Sequence, residues 1–109
     1  MTRPQVEILY LEGCPNHDRA RGLVEQIAAE LRLEPKVNLV KVRDAEAAVE
    51  HNFLGSPTIR VDGRDVEPAA DDRTDVAFSC RVYRTDNGFS GQPTEAWIRE
   101  ALEEAVGKA

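Results

Sequence analysis

The chain is poor in sulfur and in aromatic rings. Its 109 residues hold two cysteines, one methionine, one tryptophan, two tyrosines and three phenylalanines. The cysteines, Cys14 and Cys80, lie far apart, and with His17 and His51 they show none of the paired ligand spacing of a zinc site. No apolar run approaches the ~20 residues that span a bilayer. Basic residues are outnumbered by acidic ones, 14 to 20, and are scattered among them, giving a net charge of −6. That balance excludes the basic stripe of an electrostatic nucleic-acid binder. Asp71, Asp72 and Asp75 lack the glycine and closing glutamate of a calcium loop. There are no repeats or low-complexity tracts. The opening stretch, MTRPQVEILY, offers no apolar leader before strand-like sequence begins, so the expected location is the cytoplasm, where paired cysteines serve as working thiols more often than as a structural disulfide.

What is present reads as alternating elements. Gln5 to Leu11 is nearly all apolar, as in a strand buried on both faces. Ala20, Leu23, Val24, Ile27, Ala28 and Leu31 then recur at helical spacing, with charges between them. Glu34 and Pro35 are expected to end that helix. Lys36 to Val42 reads as a second strand, and Asp44 as the N-cap of a short helix, DAEAAVEH. Asp62-Gly63, between TIRV and RDV, predicts a two-residue hairpin. Glu67 to Asp75 reads as a surface loop, Ala77 to Arg84 as an isolated strand-like piece, and TDNGFSGQP as loop again. A last helix is predicted from about Pro93 to Val106, with Trp97 in its apolar stripe. Right-handed crossovers make the first two strands parallel neighbours and return the third to the same sheet, with the hairpin adding a fourth at its edge.

The chemistry centres on Cys14, between the first strand and the first helix. The unsatisfied N–H groups and macrodipole of a helix start favour an anion there, which for a cysteine is the thiolate. Pro15 suits the first helical position. The order strand, Gly13-Cys14-Pro15-Asn16-His17, helix, together with Gly55-Ser56-Pro57-Thr58 just before the third strand, resembles the thioredoxin superfamily. His17 stands where the second cysteine of Cys-x-x-Cys would be. The resemblance covers Gln5 to about Glu67 and, less closely, the last helix; Pro68 to Pro93 departs from it. It implies a thioredoxin- or glutaredoxin-like α/β fold over residues 1–109, a four-stranded mixed sheet with flanking helices, and a cis-proline at Pro57 against Cys14.

The resemblance also implies an activity: thiol–disulfide oxidoreduction through a single N-terminal cysteine, with no bound cofactor and with thiol or disulfide substrates, protein or glutathione. Cys14, His17, Cys80 and Pro57 are the candidate site residues. His17, one helical turn from Cys14, is positioned either to bond the thiolate or to stand as a first-turn polar residue. Cys80 is either the resolving thiol or a cysteine packed under its loop. Arg81 and Arg84 read as anion binders or, more simply, as solvated charges pairing with the acidic loop.

The stretch GSPTIRVDGRDVEP, with SCRVYRT, GQP and a Trp-Ile helix, is also similar to small bacterial proteins labelled thioredoxin family protein or alkylmercury lyase. Organomercurial lyases use two cysteines and an aspartate. Cys14 and Cys80 match the thiolates, but Asp18 lies four residues from Cys14 rather than three. Two alternatives therefore stand beside the redox function: a thiophilic-metal or organomercurial handler using Cys14 and Cys80, and a non-catalytic thioredoxin-like binding module. No nucleic-acid or membrane partner is expected.

Overall fold

The computed structural model describes residues 3–68, 70–86 and 88–107. In order, its elements are β1 (Gln5–Tyr10), α1 (Asn16–Glu30), β2 (Lys36–Lys41), α2 (Ala45–Glu50), β3 (Thr58–Val61), β4 (Arg64–Asp65), a 3₁₀ turn (Ala70–Asp72), β5 (Tyr83–Thr85), β6 (Gly88–Ser90) and α3 (Glu95–Ala105). Strand alternation in β1 decides the layering. Val6 and Ile8 enter one core with Ala20, Val24, Ile27 and Ala28 of α1, Ile59 and Val61 of β3, and Ile98 and Leu102 of α3. Leu9 points the other way and packs with Val42, Ala48 of α2, and Phe53. The sheet is thus covered by α1 and α3 on one face and by α2 on the other.

The four-stranded sheet has the order β2-β1-β3-β4 and is mixed. β1 and β2 are parallel, while β3 is antiparallel to β1 and β4 antiparallel to β3. Asp62 and Gly63, at φ +50° and +84°, make the tight turn between β3 and β4, and the Asp62 carboxylate accepts the Gln5 N–H at 2.9 Å. One consequence of this order positions everything that follows. Leu9 near the end of β1 faces Thr58 at the start of β3. The segment entering β3 therefore lies beside the segment leaving β1, and the two carry Pro57 and Cys14. The Ser56-Pro57 bond is cis.

Helix ends follow local chemistry. Asp44 caps α2 by accepting the Ala47 N–H, and Thr94 caps α3 by accepting that of Trp97. α1 has Pro15 at the N-cap position, one residue earlier than expected, and no side-chain acceptor there. It also stops at Glu30, four residues before Glu34 rather than at the Glu34-Pro35 pair. Arg32 adopts φ +59°, and the Arg32 and Leu33 amides bond back to Ala29 and Ala28, so a Schellman turn ends the helix before the proline can. Asn52, at φ +50°, closes α2 in the same way.

The region after β4 differs most from expectation. Within the predicted surface loop, Ala70 is buried in the 3₁₀ turn. Of the strand-like Ala77 to Arg84, only Tyr83 and Arg84 enter β5, which continues to Thr85 and pairs with β6 in a two-stranded hairpin. β6 falls in a stretch expected to be loop. The loop expectations at Ala69 and Asn87 lie outside the described residues. Cys80 sits in an isolated parallel bridge to Ser56. Among the described residues no helix is long and apolar enough to cross a membrane.

Two glycines make a direct comparison. Gly55 lies at φ +119°, and a Cβ placed on it would come within 2.7 Å of Arg81 Cβ and 2.8 Å of Arg81 Cα. Gly22, inside α1, would meet nothing within 4 Å. Gly55→Ala is expected to lower unfolding free energy by at least about 2 kcal/mol through strain and overpacking. Gly22→Ala should raise it by about 0.5–1 kcal/mol. Urea denaturation of both variants measures the contrast.

Candidate functional site

Cys14 leaves β1 through a tight turn. Its N–H donates to the Leu11 carbonyl at 3.1 Å, and Gly13, at φ +82°, takes the position in that turn which favours glycine. The cysteine is 5% exposed and stands just ahead of α1. With Pro15 supplying no acceptor, the first-turn amides of α1 present positive charge to their surroundings. His17 is in the first turn, its ring stacked on Tyr10 with centroids 4.3 Å apart. Its Nδ1–H donates to the Cys14 carbonyl at 2.7 Å, and Nε2 lies 3.4 Å from the Asp18 carboxylate. The imidazole therefore holds the backbone of Cys14. Among the described residues it makes no hydrogen bond to the thiol.

Ser56 joins this corner to the Cys80 segment. Its buried hydroxyl accepts the Leu11 N–H at 3.0 Å. Its own N–H donates to Ser79 and its carbonyl accepts from Arg81, both at 2.8 Å. Cys80 lies between those two bonds, directly across from Ser56. Its neighbour Arg81 is turned inward, and Cys80 itself is exposed. Both thiols are free. The stretch between β4 and α3 is an insertion relative to the four-stranded sheet, to which it adds no strand. At its far end Gln92 Nε2 donates to the Asn16 carbonyl at 2.8 Å, and Gly91 packs against the Asn16 side chain. The insertion thus touches the head of α1 as well as the turn before β3.

The expectation that Arg81 is solvated fails. The residue is 3% exposed. Its two terminal nitrogens meet Asp65 bidentately at 2.7 and 3.2 Å, one also meets Glu67 at 2.8 Å, and the other donates to Thr58 at 3.2 Å. The guanidinium lies over the Tyr83 ring, 4.3 Å from its centroid. Glu67 also reaches Arg73, which pairs with Asp75, so charges alternate along Asp65, Arg81, Glu67, Arg73 and Asp75. Burial works against the Arg81 charge, but the hydrogen bonds it donates to Asp65 and the neighbouring carboxylates outweigh it and hold the guanidinium above its ordinary range. Asp75, hydrogen-bonded by Arg73, is held down to about 2. Burial pushes the Tyr83 phenol well above the usual tyrosine range, and its hydroxyl donates to the Pro57 carbonyl. Thr58 in turn donates to Gly55 at 2.6 Å. Arg84, unlike Arg81, is exposed.

Of the predicted site residues, Cys14, His17 and Pro57 belong to one corner, and Cys80 is bridged to it through Ser56. The organising residues that sequence reasoning missed are Ser56, Arg81 and Tyr83. Among the described residues, no group of three or more His, Cys, Asp or Glu is arranged to hold a metal ion. No protein-family model matches the chain, and no curated protein matches it.

Removing the Arg81 side chain leaves the buried Asp65 carboxylate without the guanidinium that balances its charge. Arg81→Ala is expected to cost about 3–5 kcal/mol in urea denaturation. Tyr83 adds a pH dependence. Above about pH 10 the unfolded chain releases the phenolic proton while the native state retains it, so stability is full below that pH and falls above it. Tyr83→Phe should flatten this alkaline fall while costing about 1 kcal/mol at neutral pH for the lost bond to Pro57. Urea denaturation at about pH 8 and about pH 11 separates the two effects.

Proposed function

We propose that this protein is a thioredoxin-like thiol–disulfide oxidoreductase in which Cys14 forms the mixed disulfide and Cys80 resolves it. The observation that carries the reading is the Ser56 junction. One residue bonds both the turn that delivers Cys14 and the segment that presents Cys80. The cis Ser56-Pro57 bond before β3, the strand-to-helix placement of Cys14 and the four-stranded mixed sheet support the same family resemblance.

In this scheme the Cys14 thiolate attacks one sulfur of a substrate disulfide. A Cys14–substrate disulfide forms and the other substrate sulfur leaves as a thiolate. Cys80, as thiolate, then attacks Sγ of Cys14. The substrate's second thiolate departs and a Cys14–Cys80 disulfide remains. Two electrons have passed from the protein's two thiols to the substrate, and an external dithiol or glutathione returns them. The uncapped first turn of α1 favours negative charge beside Cys14. His17, bonded to the Cys14 carbonyl and stacked on Tyr10, acts as a positioning residue.

Mass spectrometry after mild oxidation tests the pairing. The wild type should lose two hydrogens as an intramolecular disulfide, and Cys80→Ser should instead accumulate mixed disulfides on Cys14. Steady-state reduction of a small disulfide should vanish in Cys14→Ser and slow at least about tenfold in Cys80→Ser. Turnover that survives Cys14→Ser, or oxidation yielding only intermolecular dimers, would remove the reading.

A further inference from the structure

A cavity of about 440 Å³ opens at the ends of β1 and β2, lined by Leu11, Glu12, Lys41, Val42, Arg43 and Phe78. Its position is set by the sheet. Lys41 is the register partner of Tyr10, and the Val42 N–H donates to the Tyr10 carbonyl at 2.8 Å. The cavity therefore adjoins the turn from Leu11 to Cys14 on one side. On the other it adjoins the segment carrying Cys80, two residues beyond Phe78.

The lining has a definite chemistry. Lys41 pairs with Glu12 at 3.1 Å, while Arg43 is exposed and has no hydrogen-bond or charge partner among the described residues. Two cations against one carboxylate leave a positive excess, in a chain whose overall charge is −6. Phe78 is 47% exposed although its backbone is fixed on both sides, by Ala77 N–H to the Phe53 carbonyl and by the Ser79 carbonyl to Ser56. An exposed ring on a tethered backbone, lining the same cavity as an unpaired guanidinium, suits a group that is both flat or apolar and anionic.

We infer that this cavity is the substrate subsite of the thiol site and takes a carboxylate carried on an aromatic or other apolar group next to the reacting sulfur. The inference rests on the redox reading for its purpose, but the subsite is measurable without catalysis. Arg43 supplies the fork for the carboxylate, Phe78 and Leu11 the apolar wall. Arg81, to which an anion-binding role would otherwise fall, is buried with both terminal nitrogens held by Asp65 and Glu67.

The test compares stoichiometric thiol labelling by two aromatic disulfides: dithiobis-nitrobenzoate, with a carboxylate on each ring, and dithiodipyridine, which is neutral. Labelling is followed by stopped flow in the wild type, with Cys14→Ser and Cys80→Ser used to assign each phase. At about 0.01 M ionic strength, Arg43→Glu should slow the anionic reagent about tenfold relative to the neutral one, and the difference should collapse at about 1 M. Phe78→Ser should slow both reagents at either ionic strength. A ratio of the two rates that Arg43→Glu leaves unchanged would overturn the subsite. Labelling needs only a thiol, so a failure of catalytic turnover would remove the oxidoreductase reading and still leave the subsite to this ratio.

Discussion

The Arg81 guanidinium is the constraint from which the rest of the insertion's structure follows. A charge buried this deeply is tolerated only when its donors are met, since desolvation otherwise exceeds any Coulombic return. Asp65 at the end of β4 and Glu67 just beyond it meet the two terminal nitrogens, with Thr58 and the Tyr83 ring completing the cage, and only the Nε–H is left without a partner among the described residues. Satisfying Arg81 pulls its backbone against Gly55, close enough that no side chain fits there. It also turns Cys80 outward, because successive side chains of an extended chain alternate. The insertion, which forms no strand of the four-stranded sheet, is thereby fastened to it at the strand that begins with Thr58.

That fastening gives the thiol corner its rigidity. β1 and β3 are antiparallel, so the turn after one and the approach to the other are neighbours, and Ser56 bonds across the gap to Leu11. The same residue forms two ladder bonds to the Cys80 segment. Catalytic groups that must meet a substrate within a few tenths of an ångström are best carried by backbone held in this way. His17 belongs to the same pattern: it holds the Cys14 carbonyl, and its stacking on Tyr10 ties the first turn of α1 to the end of β1.

Much of the frame was legible from local sequence. The apolar run of the first strand, the helical stripe from Ala20 to Ala28, the Asp44 cap and the Asp62-Gly63 turn each act over a few residues, and each is where the pattern places it. The end of α1 was misread because Arg32 takes a left-handed conformation that its residue type does not advertise. Cys14 was singled out by its place between an apolar strand and a helix, and Pro57 by the resemblance its Gly-Ser-Pro-Thr context carries; the sheet brings the segments that hold them side by side. The cage around Arg81 was not legible. Its members, Thr58, Asp65, Glu67, Arg81 and Tyr83, are spread over three segments, and nothing local distinguishes this arginine from the exposed Arg84. The contacts that bury Arg81, from Thr58, Asp65, Glu67 and the Tyr83 ring, are made by tertiary packing beside the bridge between Ser56 and Cys80.

Two backbone bonds tie the segment carrying Cys80 to the segment entering β3, and native-state hydrogen exchange measures their strength at single amides. The Ser56 and Arg81 N–H groups, which make those two bonds, should exchange with protection comparable to that of Glu7 and Arg60, whose amides face each other at the centre of the β1–β3 pair. Exchange of Ser56 and Arg81 at the rate of exposed turn amides, while Glu7 and Arg60 stay protected, would show that the Cys80 segment is not fastened to the sheet.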